Sequence, residues 1–161
     1  MGRAKHKQKP SFAGIPRLVM ECPDYINLNS NAIRLLVELA CSYKGGNNGD
    51  LCPAWTLMKE RGFRSKATLT KAIKELVAAE MIMLTRQGQF IRNRAGLYAL
   101  TWASIDECAG KQLDESPTRT PPRNFSLERQ QGWPRKLDPP EQKLNRKGTK
   151  TAPKPLLRAV N

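Results

Sequence analysis

The chain has 161 residues, of which 28 are Lys or Arg and 14 are Asp or Glu, and its formal net charge is +14. This length suits one modest domain with tails and leaves little room for two full cores. Hydrophobic residues make up only 39% of the chain, so we expect part of it to lie outside the core. No apolar run approaches the roughly 18 residues of a membrane span, which predicts no membrane partner.

Residues that support catalysis or metal binding are few and poorly spaced. His6 is the only histidine and lies in a charged segment, and no two cysteines form a C-x-x-C pair. Neither G-x-G-x-x-G nor G-x-x-x-x-G-K-[ST] occurs. We therefore predict a non-enzymatic protein without metal or cofactor. The cysteines are predicted to be buried or half-buried reduced thiols of a cytosolic protein: Cys22, Cys41, Cys52 and Cys108.

Charge and proline are concentrated at the two ends of the chain. Residues 1–20 carry a net charge of +5, residues 21–110 of +2, and residues 111–161 of +7 together with eight of the 12 prolines. A Pro-rich, polar stretch buries too little apolar surface to offset its ordering entropy. Basic arms favour a polyanion partner, and a merely solubilising tail is the alternative. We predict a basic arm over residues 1–11, a folded domain over 12–108, and a disordered tail over 109–161.

The first predicted elements are an extended segment and a helix. Residues 12–20 are apolar and interrupted by Pro16, which indicates an edge strand or an extended arm. Residues 28–31 supply helix-capping side chains, and residues 44–50 form a concentrated turn signal. Between them, apolar residues recur at helical spacing: Ala32, Leu35, Leu36, Leu39, Ala40 and Tyr43.

Two further helices follow, separated by a short turn. The second begins at Pro53 and runs to Arg61, where Gly62 is the expected left-handed stop. Ser65 caps a third helix that extends to about Ala79. Its core face contains Leu69, Ala72, Ile73, Leu76 and Val77. Its opposite face is small and basic, with Ala67, Thr70, Lys71, Lys74 and Ala78.

A basic hairpin completes the pattern. Residues 81–86 and 96–102 read as two strands, and the loop between them contains arginines and no acid. Three helices followed by a hairpin are typical of a winged helix. The predicted fold class is therefore mainly α with a small β-hairpin: a winged helix-turn-helix of three helices plus a wing, with disordered basic tails.

Several stretches of the sequence resemble a known group of proteins. They are residues 28–36, 43–51, 68–76, 85–88 and 97–102. Together they are similar to small winged helix-turn-helix proteins of bacterial mobile elements and to the DNA-binding domains of phage and plasmid replication proteins. This resemblance implies a DNA-binding domain in the bacterial cytoplasm, at the nucleoid. One departure is Glu80, which stands where such proteins often have a glycine that ends the third helix.

The third helix and the wing supply the predicted DNA contacts. Lys71 and Thr70 can bond base edges, Ala67 can meet a thymine methyl group, and the other basic residues suit phosphates. A solvated basic helix face is the alternative. The predicted DNA-binding residues are Arg64, Ser65, Lys66, Ala67, Thr68, Thr70, Lys71, Lys74, Arg86, Arg92 and Arg94.

The predicted function is sequence-specific binding of double-stranded DNA, as a transcriptional regulator or a replication initiator or accessory protein of a mobile element. An RNA or single-strand binder is one alternative. Another is a non-catalytic adaptor whose tail docks a replication or transcription protein. The sequence also leaves open that the protein forms a homodimer. The aromatic residues that would stack on single strands are spaced as core residues instead: Tyr25, Trp55, Phe63, Tyr98 and Trp102.

Overall fold

The computed structural model of the chain describes residues 12–89 and 94–133. In this part of the chain, two strands, β1 (Ile82–Arg86) and β2 (Leu97–Leu100), pair antiparallel. The helices are α1 (Arg17–Met20), α2 (Pro23–Ile26), α3 (Ser30–Ser42), α4 (Trp55–Glu60), α5 (Lys66–Ala78) and α6 (Phe125–Gln130). The predicted class, mainly α with a small β-hairpin, is confirmed.

Helix α3 forms where the sequence predicts it. The side-chain oxygen of Asn29 accepts the backbone N–H groups of Asn31 and Ala32 at 2.9 and 3.1 Å, which caps the first turn. The apolar positions three and four residues apart then face the core, where α3 packs against α5. The buried residues of α3 are those predicted: Ala32, Leu35, Leu36, Leu39 and Ala40.

The turn between α4 and α5 is fixed by backbone geometry. Gly62 has φ +88°, a left-handed conformation that suits glycine. Its N–H bonds the carbonyl of Lys59 at 3.0 Å, and the N–H of Phe63 bonds that of Met58 at 3.0 Å, which is a Schellman motif. Phe63 is buried and anchors the turn in the core. The predicted stop at Gly62 is confirmed, although α4 begins at Trp55 and not at Pro53.

The exit from α5 has the same geometry without a glycine. Glu80 has φ +51°, and its N–H bonds the carbonyl of Val77 at 3.0 Å. The N–H of Met81 bonds the carbonyl of Leu76 at 2.9 Å, so this is a second Schellman motif. The chain therefore makes the turn at some conformational cost. Val77, predicted to face the core, is 41% exposed because it lies at the edge of the buried stripe.

One residue of the loop before α4 pairs with the hairpin. Leu51 and Tyr98 exchange backbone hydrogen bonds of 3.2 and 2.9 Å, which form an isolated antiparallel bridge to β2. On the other side of β2, Ile82 pairs with Leu100. The order along the chain is therefore α3, this bridge, α4, α5 and the hairpin.

The segment 12–20 is not the predicted strand or arm. Residues 17–20 form α1, because the carbonyl of Pro16 accepts the N–H groups of Val19 and Met20 at 3.0 and 3.3 Å. Val19 is buried against the core. Pro23 then begins α2, since proline suits the first turn of a helix.

Packing continues well past residue 108, where the sequence predicted the domain to end. Thr118, Arg123 and Phe125 bond or pack against the residues before them, and α6 contacts α1. The structure therefore differs from the predicted tail over residues 109–133, because backbone hydrogen bonds and the buried side chains of Arg123 and Phe125 attach this segment to the domain. The predicted arm over 1–11 and the tail beyond residue 133 lie outside the described residues.

Candidate nucleic-acid interface

The outward face of α5 is small, basic and exposed. At 100° per residue its predicted positions fall on one face. The predicted face residues are all exposed in the structure: Ala67, Thr70, Lys71, Lys74 and Ala78. Lys66, a predicted phosphate contact, is also exposed, whereas Thr68 is half-buried. The first and last of the three lysines, Lys66 and Lys74, are eight residues apart, or about 12 Å along the helix axis at 1.5 Å per residue.

The single acid of α5 is turned away from this face. Glu75 is half-buried, and one of its carboxylate oxygens accepts the backbone N–H of Asn29 at 2.7 Å. The other accepts the side-chain amide of the same residue. Glu75 therefore holds the start of α3, and no carboxylate of α5 offsets the three lysines on the outward face.

The start of α5 combines two exposed cations with two engaged hydroxyls. Arg64 and Lys66 are exposed on either side of the cap. Ser65 Oγ accepts the N–H of Thr68 at 3.1 Å, and the two hydroxyls lie 2.9 Å apart. Ser65 and Thr68 therefore cap the helix with one of their two hydroxyl protons, and the other O–H group stays able to donate beside the two cations.

The predicted basic residues of the hairpin are only partly available. Arg86 is half-buried and donates from Nη2 to the carbonyl of Ala95 at 3.0 Å, so it ties the loop to the stem. Its Nε is buried and has no hydrogen-bond partner within residues 12–89 and 94–133. Arg94 is exposed and donates to Oε1 of Gln112 at 3.1 Å. Arg92 lies outside the described residues.

Arg34 positions the turn that precedes α5, a role that the sequence did not reveal. It lies on α3 away from the buried face and is exposed. Its guanidinium donates to the carbonyls of Arg61 and Gly62, and lies 5.7 Å from the ring centre of Phe63. These partners are 27 residues or more away in sequence, and no local pattern indicates them.

Asn48 is a second residue whose role only the fold reveals. It lies in the predicted turn after α3 but is fully buried. Its side-chain nitrogen lies 2.9 to 3.1 Å from the carbonyl oxygens of Leu100, Ala103 and Ser104, which share its two N–H donors, and its oxygen accepts the N–H of Leu100 at 2.7 Å. One amide thus fastens the loop before α4 to the end of β2.

The aromatic residues do not form a stacking surface. Phe63 is buried, and four others are partly buried against the core: Tyr25, Trp55, Tyr98 and Trp102. The prediction that they pack in the core is confirmed. Stacking on single-stranded bases needs exposed rings, so this arrangement does not favour it.

The described residues contain little that suits catalysis or a metal. In residues 12–89 and 94–133 no group of three or more His, Cys, Asp or Glu side chains could hold a metal ion. All four cysteines are free thiols; Cys22 is buried and Cys52 and Cys108 are half-buried, but Cys41 is exposed, contrary to the prediction. Burial raises the pKa of the Cys22 and Cys108 thiols, which disfavours the reactive thiolate. The same residues contain no helix long and apolar enough to cross a membrane.

Comparison with known proteins gives no relative. No protein-family model matches the chain, and neither a curated protein nor a solved structure matches it. The candidate interface therefore rests on the geometry and charge of α5 and the hairpin.

Proposed function

We propose that this protein binds double-stranded DNA as a winged helix, with α5 as the recognition helix and the β1–β2 hairpin as the wing. The observation that carries the proposal is the exposed lysine face of α5, from which the helix's one carboxylate is turned away. The order of elements supports it, because a short helix, a glycine turn and a longer helix precede the hairpin.

The dimensions of α5 suit the major groove. Its 13 residues make a rod about 20 Å long, and a helix of ordinary diameter fits a groove about 12 Å wide. On the outward face, near the middle of α5 along its axis, the Lys71 ammonium group can donate to guanine acceptors and the Thr70 hydroxyl can bond a base edge. The small side chain of Ala67 lets the helix approach closely and can contact a thymine methyl group.

The other exposed cations of α5 and the hairpin suit contacts with phosphate. Arg64, Lys66 and Lys74 are exposed beside the base-reading positions, and Arg94 is exposed on the hairpin. Such contacts fix the register of the protein on the duplex and make binding depend on salt. Ser65 caps the helix and one of the Ser65 and Thr68 hydroxyls donates to the other, so one O–H group remains that can donate to a phosphate.

The biological role that fits is non-catalytic and concerns the control of DNA. We place the protein at the nucleoid of a bacterial cytoplasm, as a transcriptional regulator or a replication initiator or accessory protein of a mobile element. This role comes from the resemblance of residues 28–36, 43–51, 68–76, 85–88 and 97–102 to small proteins of that kind.

Selection from a random duplex pool tests the proposal. Full-length protein is mixed with random double-stranded DNA, bound molecules are amplified, and the selection is repeated at moderate salt. We expect a short enriched motif, because a base contact contributes about 1–3 kcal/mol of discrimination. No enrichment, or tighter binding to single-stranded DNA or RNA of the same sequence, contradicts duplex recognition by α5.

A further inference from the structure

A short segment after β2 braces the stem of the hairpin. We call residues 111–115 the brace. The backbone N–H groups of Asp114 and Glu115 both point to the carbonyl of Thr85 in β1, at 2.7 and 3.3 Å. At the other end of the brace, Lys111 forms an ion pair with Asp50 at 3.3 Å. The segment therefore runs beside the hairpin and is attached at more than one point.

The brace acts where the strand pairing is irregular. Leu84 pairs with Tyr98 and Arg86 pairs with Leu97, so Thr85 is an extra residue in β1. Such a bulge bends a strand and leaves the extra residue outside the ladder. The ladder alone therefore does not fix the direction in which the hairpin leaves the sheet. The carbonyl of Thr85 instead accepts hydrogen bonds from the brace, which is not part of the strand ladder.

Two side-chain bonds complete this support. The hydroxyl of Thr85, which is fully buried, donates to the carbonyl of Gly49 at 2.6 Å. The carboxylate of Asp114 accepts the N–H of Gln87, the first residue after β1, at 2.7 Å. Asp114 thus bonds the backbone on both sides of Arg86, once as a donor and once as an acceptor. Gln112 accepts a bond from Arg94 further along the hairpin.

We propose that Asp114 is a positioning residue that fixes the direction of the hairpin and so brings the wing onto DNA. This inference rests on the proposed function, since it concerns how the wing reaches the duplex. The competing effect of Asp114 is electrostatic, because a carboxylate beside a basic hairpin repels phosphate. Positioning of the hairpin by Asp114 strengthens DNA binding, whereas its negative charge weakens it. Mutations can therefore separate the two effects.

Three variants separate the effects. Asp114→Asn removes the charge and keeps an oxygen that can accept the Gln87 N–H. Asp114→Ala removes both. Glu115→Ala is the matched control, because it removes an adjacent exposed carboxylate for which the described residues show no hydrogen bond or ion pair. Charge loss is common to all three, so the difference between the two Asp114 variants isolates the hydrogen bond.

Binding is measured with full-length protein on the selected duplex at fixed salt. We expect Asp114→Asn and Glu115→Ala to bind at least as tightly as wild type. We expect Asp114→Ala to bind about five- to tenfold more weakly than Asp114→Asn, as loss of one neutral hydrogen bond allows. Equal affinity of the two Asp114 variants overturns the inference.

Hydrogen exchange in the free protein provides a readout that needs no DNA. Exchange at the amides of residues 87–89 should rise in Asp114→Ala and stay near wild type in Asp114→Asn, while α3 and α5 remain protected in both. Unchanged exchange at residues 87–89 in Asp114→Ala also overturns the inference. If wild type shows no duplex preference but the exchange difference appears, the brace stands and the proposed function fails.

Discussion

Replacing Arg123 should show how strongly residues 109–133 belong to the folded domain. The side chain is only 5% exposed and pairs with two carboxylates, Asp24 at 2.6 Å and Glu128 at 2.7 Å. It also donates to the carbonyl of Ala79 at 2.9 Å and lies 4.4 Å from the ring centre of Phe125. One guanidinium therefore connects α2, the end of α5 and α6.

The expected loss follows from what Arg123→Ala leaves behind. Asp24 is 7% exposed and loses its counter-ion, and the carbonyl of Ala79 loses a donor. Breaking a buried pair by removing one partner costs about 3–5 kcal/mol. Burial lowers the pKa of the Arg123 guanidinium, but its bonds with Glu128 and Asp24 outweigh this and hold the pKa above its ordinary value. The residue is therefore charged at every working pH.

Urea unfolding of the full-length protein measures the effect. Arg123→Ala should lower the free energy of unfolding by about 3–5 kcal/mol. The free energy of unfolding of Arg123→Lys should lie between those of wild type and Arg123→Ala, because an ammonium group keeps the charge but lacks the planar fork of the guanidinium. The control is Arg129→Ala, whose pair with Glu21 at 3.0 Å is 59% and 44% exposed, and we expect a loss below about 1 kcal/mol. Equal losses for Arg123→Ala and Arg129→Ala would refute the claim that the buried ion pairs of Arg123 stabilise the domain.

Two other predictions concern the end of α5 and the basic ends of the chain. Glu80→Gly should raise the free energy of unfolding by about 1 kcal/mol in urea, because φ is +51° at Glu80 and glycine adopts this conformation without strain. The control, Ala79→Gly, should lower it, because φ is −77° there and glycine only adds conformational freedom to the unfolded chain. A chain trimmed to residues 12–133 keeps +4 of the +14 charge and should show a shallower salt dependence of DNA affinity with the same preferred sequence. An unchanged salt slope means that the removed ends do not touch DNA.

The elements that the sequence predicts well are those specified by neighbouring residues. The helix over Ser30–Ser42 follows from apolar spacing and an Asn cap, and the stop at Gly62 follows from the freedom of glycine. The outward lysine face of α5 follows from the same periodicity. Each of these signals spans only a few residues of sequence, so a local pattern contains all of it.

The features that the sequence does not reveal depend on contacts between distant residues. Arg123 lies in a Pro-rich, polar stretch typical of disorder, but its partner Asp24 is 99 residues away. Asn48 reads as a turn residue, and its bonds to β2 cross 52 residues. Likewise, no local pattern shows that Arg86 bonds Ala95 and so is less available to DNA. Burial and pairing of this kind arise only when the chain folds.

The central claim is that the outward face of α5 reads duplex DNA. Its most direct test is the affinity of Lys71→Ala for the selected duplex and for a scrambled duplex at the same salt. The control is Arg119→Ala, which removes one exposed charge from the segment between the sheet and α6. We expect Lys71→Ala to lose about 1–3 kcal/mol of discrimination between the two duplexes and Arg119→Ala to lose almost none. Equal losses on both duplexes for Lys71→Ala would contradict base reading by this face.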